Sequence, residues 1–273
     1  SYNYQNNIIS TSTADFKIKG RITVTSPTAA VKDANAWPVN SAALPSQKLI
    51  EWTNYGDLGG VPGYVTIKHA TDGVNFNSTL TTAANGANGP QNYNWTIPNN
   101  IGTNNKIQIV DNSHADSALH IAQESEAFEI KGKIQLTKPV NGDVYYIGGA
   151  AMNIEWKYAG SLGNIDLFFS SDNGGTWGNA IATIDVGYTQ PYQFTIPDSP
   201  TIEGKIKVEQ VSDRTYVKDI ITGNFRIRGS VFLGSKPSPS TPWTVTGTNN
   251  KVEWTLTGSI AKVAIDLDTD SGN

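Results

Sequence analysis

The sequence predicts an all-β protein made of tandem β-sandwich modules set in a rod, and three observations carry that prediction. One stretch occurs three times, as Phe16-Lys17-Ile18-Lys19-Gly20, Phe128-Glu129-Ile130-Lys131-Gly132 and Phe225-Arg226-Ile227-Arg228-Gly229. Each copy alternates apolar and polar residues with the period of a half-buried strand, reaches a glycine, and at once starts a second alternation. The copies lie about 100 residues apart, the size of an ordinary β-sandwich. Between them, short strand patterns alternate with Gly, Pro and Asn turns, and no helical periodicity lasts beyond a turn or two.

The elements follow in order. Residues 1–19 read as the end of a preceding module, closing on the strand around Phe16 and Ile18. Module one, 20–131, opens with Arg21-Ile22-Thr23-Val24, turns at Ser26-Pro27, loops through Trp37-Pro38 and enters the strand Leu49-Ile50-Glu51-Trp52. Tyr64-Val65-Thr66-Ile67-Lys68-His69 follows, with a turn at Asp72-Gly73. An Asn/Gly-rich stretch precedes Tyr93-Asn94-Trp95-Thr96-Ile97-Pro98, where the proline ends the strand because it has no ladder donor. Lys106 to Val110 and Phe128 to Ile130 close the module.

Module two, 132–228, repeats this order: Trp156 matches Trp52, Tyr192 to Pro197 matches Tyr93 to Pro98, and Lys205 to Val208 matches Lys106 to Ile109. Residues 229–273 read as the first part of a further module, with Trp254 as its tryptophan. That part has no counterpart of Tyr192 to Pro197 or Phe225 to Ile227. Val263, Ile265 and Leu267 would then lack an opposing sheet, so the chain is expected to be an interior segment of a longer repeat array. The junction from Ile130 to Lys133 is too short for a flexible linker, and stiff joints are expected. Trp52, Trp156 and Trp254 are the expected core anchors, since an indole buries a large apolar area. Trp37, Trp177 and Trp243 sit near turns and are expected to be more exposed.

Composition narrows the function. Only 16% of residues are charged, the net charge is -4 and no basic run exists, so nucleic-acid binding, which needs clustered Lys and Arg, is disfavoured. With no cysteine, neither disulfides nor thiolate metal sites staple the modules. No apolar run reaches the 18 or so residues of a membrane span.

The order of Pro, Ile-x-Trp, Tyr-x-[Trp/Phe]-x-Ile-Pro, Lys-Ile-x-[Ile/Val] and Phe-x-Ile resembles the immunoglobulin-like domain of the fungal Ser/Thr-rich GPI-anchored cell-wall family. It also resembles that family's bacterial relatives in surface-layer and large secreted proteins. The likeness covers both complete modules and both partial ones, and its motifs are core and turn residues. It implies tandem immunoglobulin-like sandwiches, an extracellular location at a cell surface or wall, and a structural role with no catalytic residues. The absence of cysteine, a single methionine and many hydroxyl side chains fit surface-array proteins as well.

Few residues suggest chemistry. Ser170-Ser171-Asp172-Asn173-Gly174-Gly175-Thr176-Trp177 fits the S-x-D-x-G-x-T-W pattern of sialidase-type propellers, yet its counterparts at Asp72 and Asp270 recur once per module rather than once per blade of about 40–50 residues. It is expected to be a hairpin that stabilises a sandwich. His69 falls at an inward strand position beside Phe169 of module two. His114 and His120 share a loop with Asp111 and Asp116, at spacings that match no strong metal motif.

Asp266, Asp268 and Asp270 alternate along one strand face, and their hard oxygens would suit calcium. Asn77 and Asn94 head N-glycosylation sequons, and Ser235 to Pro242 is a Ser/Pro/Thr cluster suited to O-linked sugar. No pair of placed titratable groups points to acid/base catalysis, so no enzyme activity is expected. The expected function is a structural segment of a self-assembling surface layer or cell-wall lattice, contacting itself and cell-wall glycans, with turn-tip Trp177 and outward Phe168 as candidate contacts. Rival functions are an adhesin or carbohydrate-binding array and an accessory segment of a secreted glycan-active enzyme.

Overall fold

The computed structural model describes residues 14, 16–56, 58, 64–83, 85–111, 120–235, 240, 243 and 250–266. The chain divides into two compact units, Ser1–Pro38 with Ser46–Lys131, and Val39–Pro45 with Gly132–Asn273. Among the described residues the regular structure is strand throughout, apart from a 3-10 turn at Asp33–Asn35.

The first unit holds β1 (Arg21–Ser26), β2 (Trp37–Pro38), β3 (Gln47–Tyr55), β4 (Val65–Ala70), β5 (Ser78–Ala83), β6 (Gly89–Thr96), β7 (Gly102–Asp111), β8 (Ile121–Glu124) and β9 (Phe128–Lys131). They form a sandwich of two sheets, one ordered β1-β3-β6 and the other β2-β9-β7-β4-β5, with β8 pairing the far half of β7. All pairs are antiparallel except β2 with β9. Period-two patterning decides which side chains face in. Ile22, Ile50 and Trp52 from the smaller sheet meet Val65, Ile67, Ile107, Ile109, Phe128 and Ile130 from the larger, all buried.

The second unit repeats the plan with β10 (Lys133–Lys138), β11 (Val144–Tyr146), β12 (Met152–Ala159), β13 (Asn164–Ser170), β14 (Ala182–Asp185), β15 (Tyr192–Phe194), β16 (Thr201–Gln210), β17 (Lys218–Ile220) and β18 (Phe225–Arg228). Its sheets run β10-β12-β15 and β11-β18-β16-β13-β14, with β17 on β16. One apolar cluster fills the space between them, from Ile134 and Leu136 through Trp156, Ile165 and Leu167 to Phe225 and Ile227. β19 (Ser230–Ser235) and β20 (Glu253–Thr257) then form an antiparallel pair.

The repeat extends to the register of the first two long strands. Trp52 lies opposite Val24, Trp156 opposite Leu136 and Trp254 opposite Leu233, and each time the pairing slips just beyond, at Ser26, Lys138 and Ser235. The Ser26-Pro27 and Lys138-Pro139 peptides that follow are both cis. Burial follows the expected pattern in the two complete sandwiches only. Trp52 and Trp156 are buried, whereas Trp254, also expected in a core, is 40% exposed. No opposing sheet covers β19 and β20 among the described residues, so Val263 and Ile265 are exposed too. Phe16 and Ile18, the first copy of the repeated stretch, are likewise exposed, while Phe128, Ile130, Phe225 and Ile227 are buried.

Trp37 corrects the sequence-based expectation in the opposite sense, being 6% exposed. The two-residue strand β2 pairs in parallel with β9 and sets the indole against Phe128 and Trp95, at centroid distances of 5.1 and 6.1 Å. Tyr145 on β11 fills the same place in the second unit, edge-on to Phe225 at 5.7 Å.

Candidate functional site

The hairpin after β13 is built around Asp172. Ser170 Oγ donates to its Oδ1 at 2.6 Å, the Thr176 backbone N–H to Oδ1 at 2.9 Å and Thr176 Oγ1 to Oδ2 at 2.7 Å. Ser170 Oγ in turn accepts the Gly174 N–H at 2.9 Å. Asn173 and Gly174 take φ values of 58° and 82°, a left-handed pair that Asn-Gly adopts at little cost. A Cβ on Gly174 would stand 3.1 Å from Trp177 Cζ2, so the indole rests on the bare turn. Asp172 spends both oxygens inside its own hairpin, where the pattern expects it as a turn residue.

In the first unit Asp72 does the same work with other partners. It accepts from the N–H groups of Val74 and Asn75 at 2.9 and 2.7 Å and from Asn75 Nδ2 at 2.6 Å. Hydrogen bonds to the charged form hold both carboxyls at about 2, Asp72 chiefly through the Asn75 and Val74 backbones, Asp172 chiefly through Ser170 and Thr176. Because the folded value lies below the free value of 3.8, each contributes stability at neutral pH that is lost as pH falls through about 2. The double variant Asp72→Ala/Asp172→Ala is therefore expected to have a lower urea midpoint at neutral pH. It should also show a shallower loss of stability than the parent between pH 4 and pH 2, roughly the window these shifts define. Parallel curves for the two proteins would show that the turns contribute nothing.

Beside this hairpin, the outer face of β13 and β16 carries a chain of charged and aromatic contacts. The Lys207 ammonium lies 4.4 Å from the Phe168 ring centre and 4.8 Å from that of Trp177, and binds Glu209 at 2.8 Å. Arg214 pairs with the buried Asp166 and lies 3.8 Å from Glu209, while Thr183 Oγ1 donates to Asp166 at 2.5 Å. Phe168 and Trp177 are half-buried and are used within their own module, as cation–π partners of Lys207. The sequence hinted at this network only through Asp166, an acid at a strand position between inward Ile165 and Leu167.

The remaining candidates stand apart from one another. His69 is inward and 2% exposed, its Nε2 2.9 Å from Asn105 Oδ1. His120 is half-buried just before β8; His114 and Asp116 lie outside the described residues. Asp266 is exposed, and Asp268 and Asp270 lie outside the described residues. No group of three or more His, Cys, Asp or Glu side chains is placed to hold a metal among the described residues.

Asn77 is exposed in the loop before β5, its N–H bonded to Asn75 O at 2.9 Å. Asn94 is exposed on β6, but its Nδ2 donates to Gln47 Oε1 at 2.9 Å, so Asn77 offers the freer amide to a glycosylating enzyme. Of the 235–242 cluster, the described residues are Ser235, in β19, and Ser240. An open groove of about 670 Å³ runs past Thr201, Ile202, Glu203, Ile227, Arg228 and Ile260. It brings together aliphatic side chains, one acid, one base and two hydroxyls, and both hydroxyls are engaged, Thr201 Oγ1 donating to Ser171 O at 2.6 Å and Ser259 Oγ to Asp198 Oδ2 at 2.9 Å. Among the described residues no helix is long and apolar enough to cross a membrane.

No protein-family model and no curated protein matches the chain, and this includes the cell-wall family whose motifs it resembles. Several solved structures align with much of the chain at low similarity. The fibronectin(III)-like modules of Clostridium thermocellum CbhA align at 15% identity over 76% of this chain and 95% of theirs, with a TM-score of 0.26. Three N-terminal domains of the outer capsid protein Hoc of bacteriophage RB49 align at 12% identity over 73% and 62%, with a TM-score of 0.23. Salmonella alpha-2-macroglobulin reacted with methylamine aligns at 9% identity over 82% of this chain but 18% of its own, with a TM-score of 0.24.

Proposed function

We propose that this chain is a structural segment of a large extracellular protein that self-assembles into a surface layer or cell-wall lattice, and that it catalyses no reaction. The observation behind this reading is the reuse of one scaffold down to its bulge and its turn acid, with Asp172 consumed by its own hairpin. A chain that reuses one scaffold of core and turn positions suits load bearing and packing better than turnover. Large apolar side chains on the surface, such as Val74 in the loop after β4 and Ile202 at the start of β16, both more than two-thirds exposed, are the groups expected to meet neighbours. Calcium held by Asp266, Asp268 and Asp270, glycan carried on Asn77 and contact with wall glycans belong to the same proposal.

Electron microscopy and sedimentation of the purified chain, in millimolar calcium and in chelator, test it. Ordered sheets or filaments are the expected result. A protein that stays monomeric in both conditions while binding a defined glycan would favour the adhesin. Turnover of a sialoside that Asp172→Ala abolishes would make it an enzyme.

A further inference from the structure

The two cores differ in polarity at one place, where an inward strand position carries a polar pair in one unit and an apolar pair in the other. The registers Ile67 opposite Ile109 and Leu167 opposite Val208 make His69 the counterpart of Phe169. The registers Asn105 opposite Phe128 and Gly204 opposite Phe225 make Asn105 the counterpart of Gly204. In the second unit Phe169 packs on Phe225 and Phe194, with centroids at 6.2 and 5.8 Å, and Phe225 presses on the bare Cα of Gly204. In the first unit that apolar pair is replaced by a hydrogen-bonded polar pair inside an aromatic shell.

Both members of the pair are fully enclosed. Asn105 Nδ2 donates to Gly102 O at 2.8 Å, which turns its Oδ1 toward His69 Nε2. Nε2 is therefore the donor, which makes the neutral ring the Nε2–H tautomer. Trp95 and Phe128 flank it at 4.8 and 6.4 Å.

No charge stands ready to receive a second proton. On β4, Lys68 alternates to the outer face. On β7 and β8, Lys106 pairs with Glu124 at 3.3 Å, and Asp111 sits at the far end of β7. On β9, Glu129 and Lys131 pair with each other at 3.3 Å. On β3, Glu51 alternates outward, while half-buried Lys48 shares the face of Ile50 and Trp52 opposite Trp95, and its positive charge gives an imidazolium no partner; β2, β5 and β6 carry no charged side chain. Burial accordingly holds the imidazole below its ordinary value of 6.5, with the Asn105 bond pulling the other way.

We propose that the His69–Asn105 pair makes the first unit an acid-responsive module. Below the ordinary imidazole range the core between β4, β6, β7 and β9 loosens, while the second unit, with Phe169 and Gly204 in those places, does not respond. The sign follows from linkage. The unfolded chain takes up a proton near 6.5 that the folded core refuses, so stability is full above that value and falls as pH drops below it. Asp72 and Asp172, which titrate near 2, stay charged across this window.

Hydrogen exchange of the whole chain, corrected for intrinsic rates and compared at about pH 7.5 and about pH 5, tests the proposal; each pH unit of withheld protonation is worth about tenfold in the opening equilibrium. Protection of β4, β6 and β7 is expected to fall by about tenfold while that of β13 and β16 holds. His69→Phe/Asn105→Gly, which installs the second unit's pair, should erase the difference. Should that variant fail to fold, NMR titration of the His69 ring in the parent protein replaces it, with the ring expected to stay neutral below its ordinary value. Unchanged protection in β4 and β7, an equal fall in both units, or a His69 ring that titrates at its ordinary value would each overturn the proposal.

Discussion

Phe225→Ala is expected to lower the stability of the second unit by about 3–5 kcal/mol, the usual cost of emptying a large aromatic site in a core. Phe225 has no exposed surface. It is held edge-on by Tyr145, tilted by Phe169 and set directly over Gly204. Gly204 adds no side chain that could move into the space, and the flanking strands are fixed by the pairing of β18 to β16 on one side and β11 on the other. Collapse around the cavity is therefore limited, which puts the cost at the upper end of the range.

Since each unit has its own core, calorimetry should resolve the effect as a fall of one transition by more than about 10 °C with the other unmoved. A shift below about 3 °C, or an equal shift of both transitions, would contradict this account of the core.

That cavity also shows what a sequence reveals and what it conceals. Trp52, Trp156, Phe128 and Phe225 were legible because strand alternation fixes which residues face inward before any partner is known. Trp37 was not legible, because its burial depends on a two-residue strand that pairs in parallel with one more than ninety residues later, and nothing local marks such a pairing. β5 escaped for a related reason. Ser78–Ala83 is mostly Ser and Thr with no apolar alternation, and it is a strand because β4 offers it an edge.

His69 was placed correctly as inward, but its meaning came from Asn105, a residue that pattern alone could not connect to it. The Asp172 hairpin was readable in full, since Asp, Asn-Gly and Trp each act within eight residues. The chain of Lys207, Glu209, Arg214 and Asp166 was hardly readable at all, because its members come from strands and loops that only the folded sheet brings together.

The glycine that closes each copy of the repeated stretch had no assigned reason in the sequence, and the structure supplies one that leads to a second large effect. A methyl group on Gly132 would stand 3.0 Å from Ala159 O and 3.1 Å from Leu162 Cγ, and would overlap Leu162 Cδ2. Gly20 meets Tyr55 O and Leu58 in the same way, and Gly229 meets Thr257 O at 2.6 Å and Ile260 Cγ1 at 2.8 Å. In every copy the glycine thus lies against the end of the tryptophan strand and the aliphatic residue three positions on, so that the two backbones approach without a side chain between them.

Leu162 is buried and has little room to withdraw, so Gly132→Ala is expected to destabilise the second unit by about 1–3 kcal/mol. Leu162→Ala alone should cost about 2–5 kcal/mol by leaving a cavity. In the double variant the new methyl enters that cavity, so the combined loss should fall short of the sum of the two single losses by at least about 0.5 kcal/mol. Chemical denaturation of the four proteins closes the cycle. Simple additivity would show that Gly132 is kept for its backbone freedom and not for the close approach of Leu162.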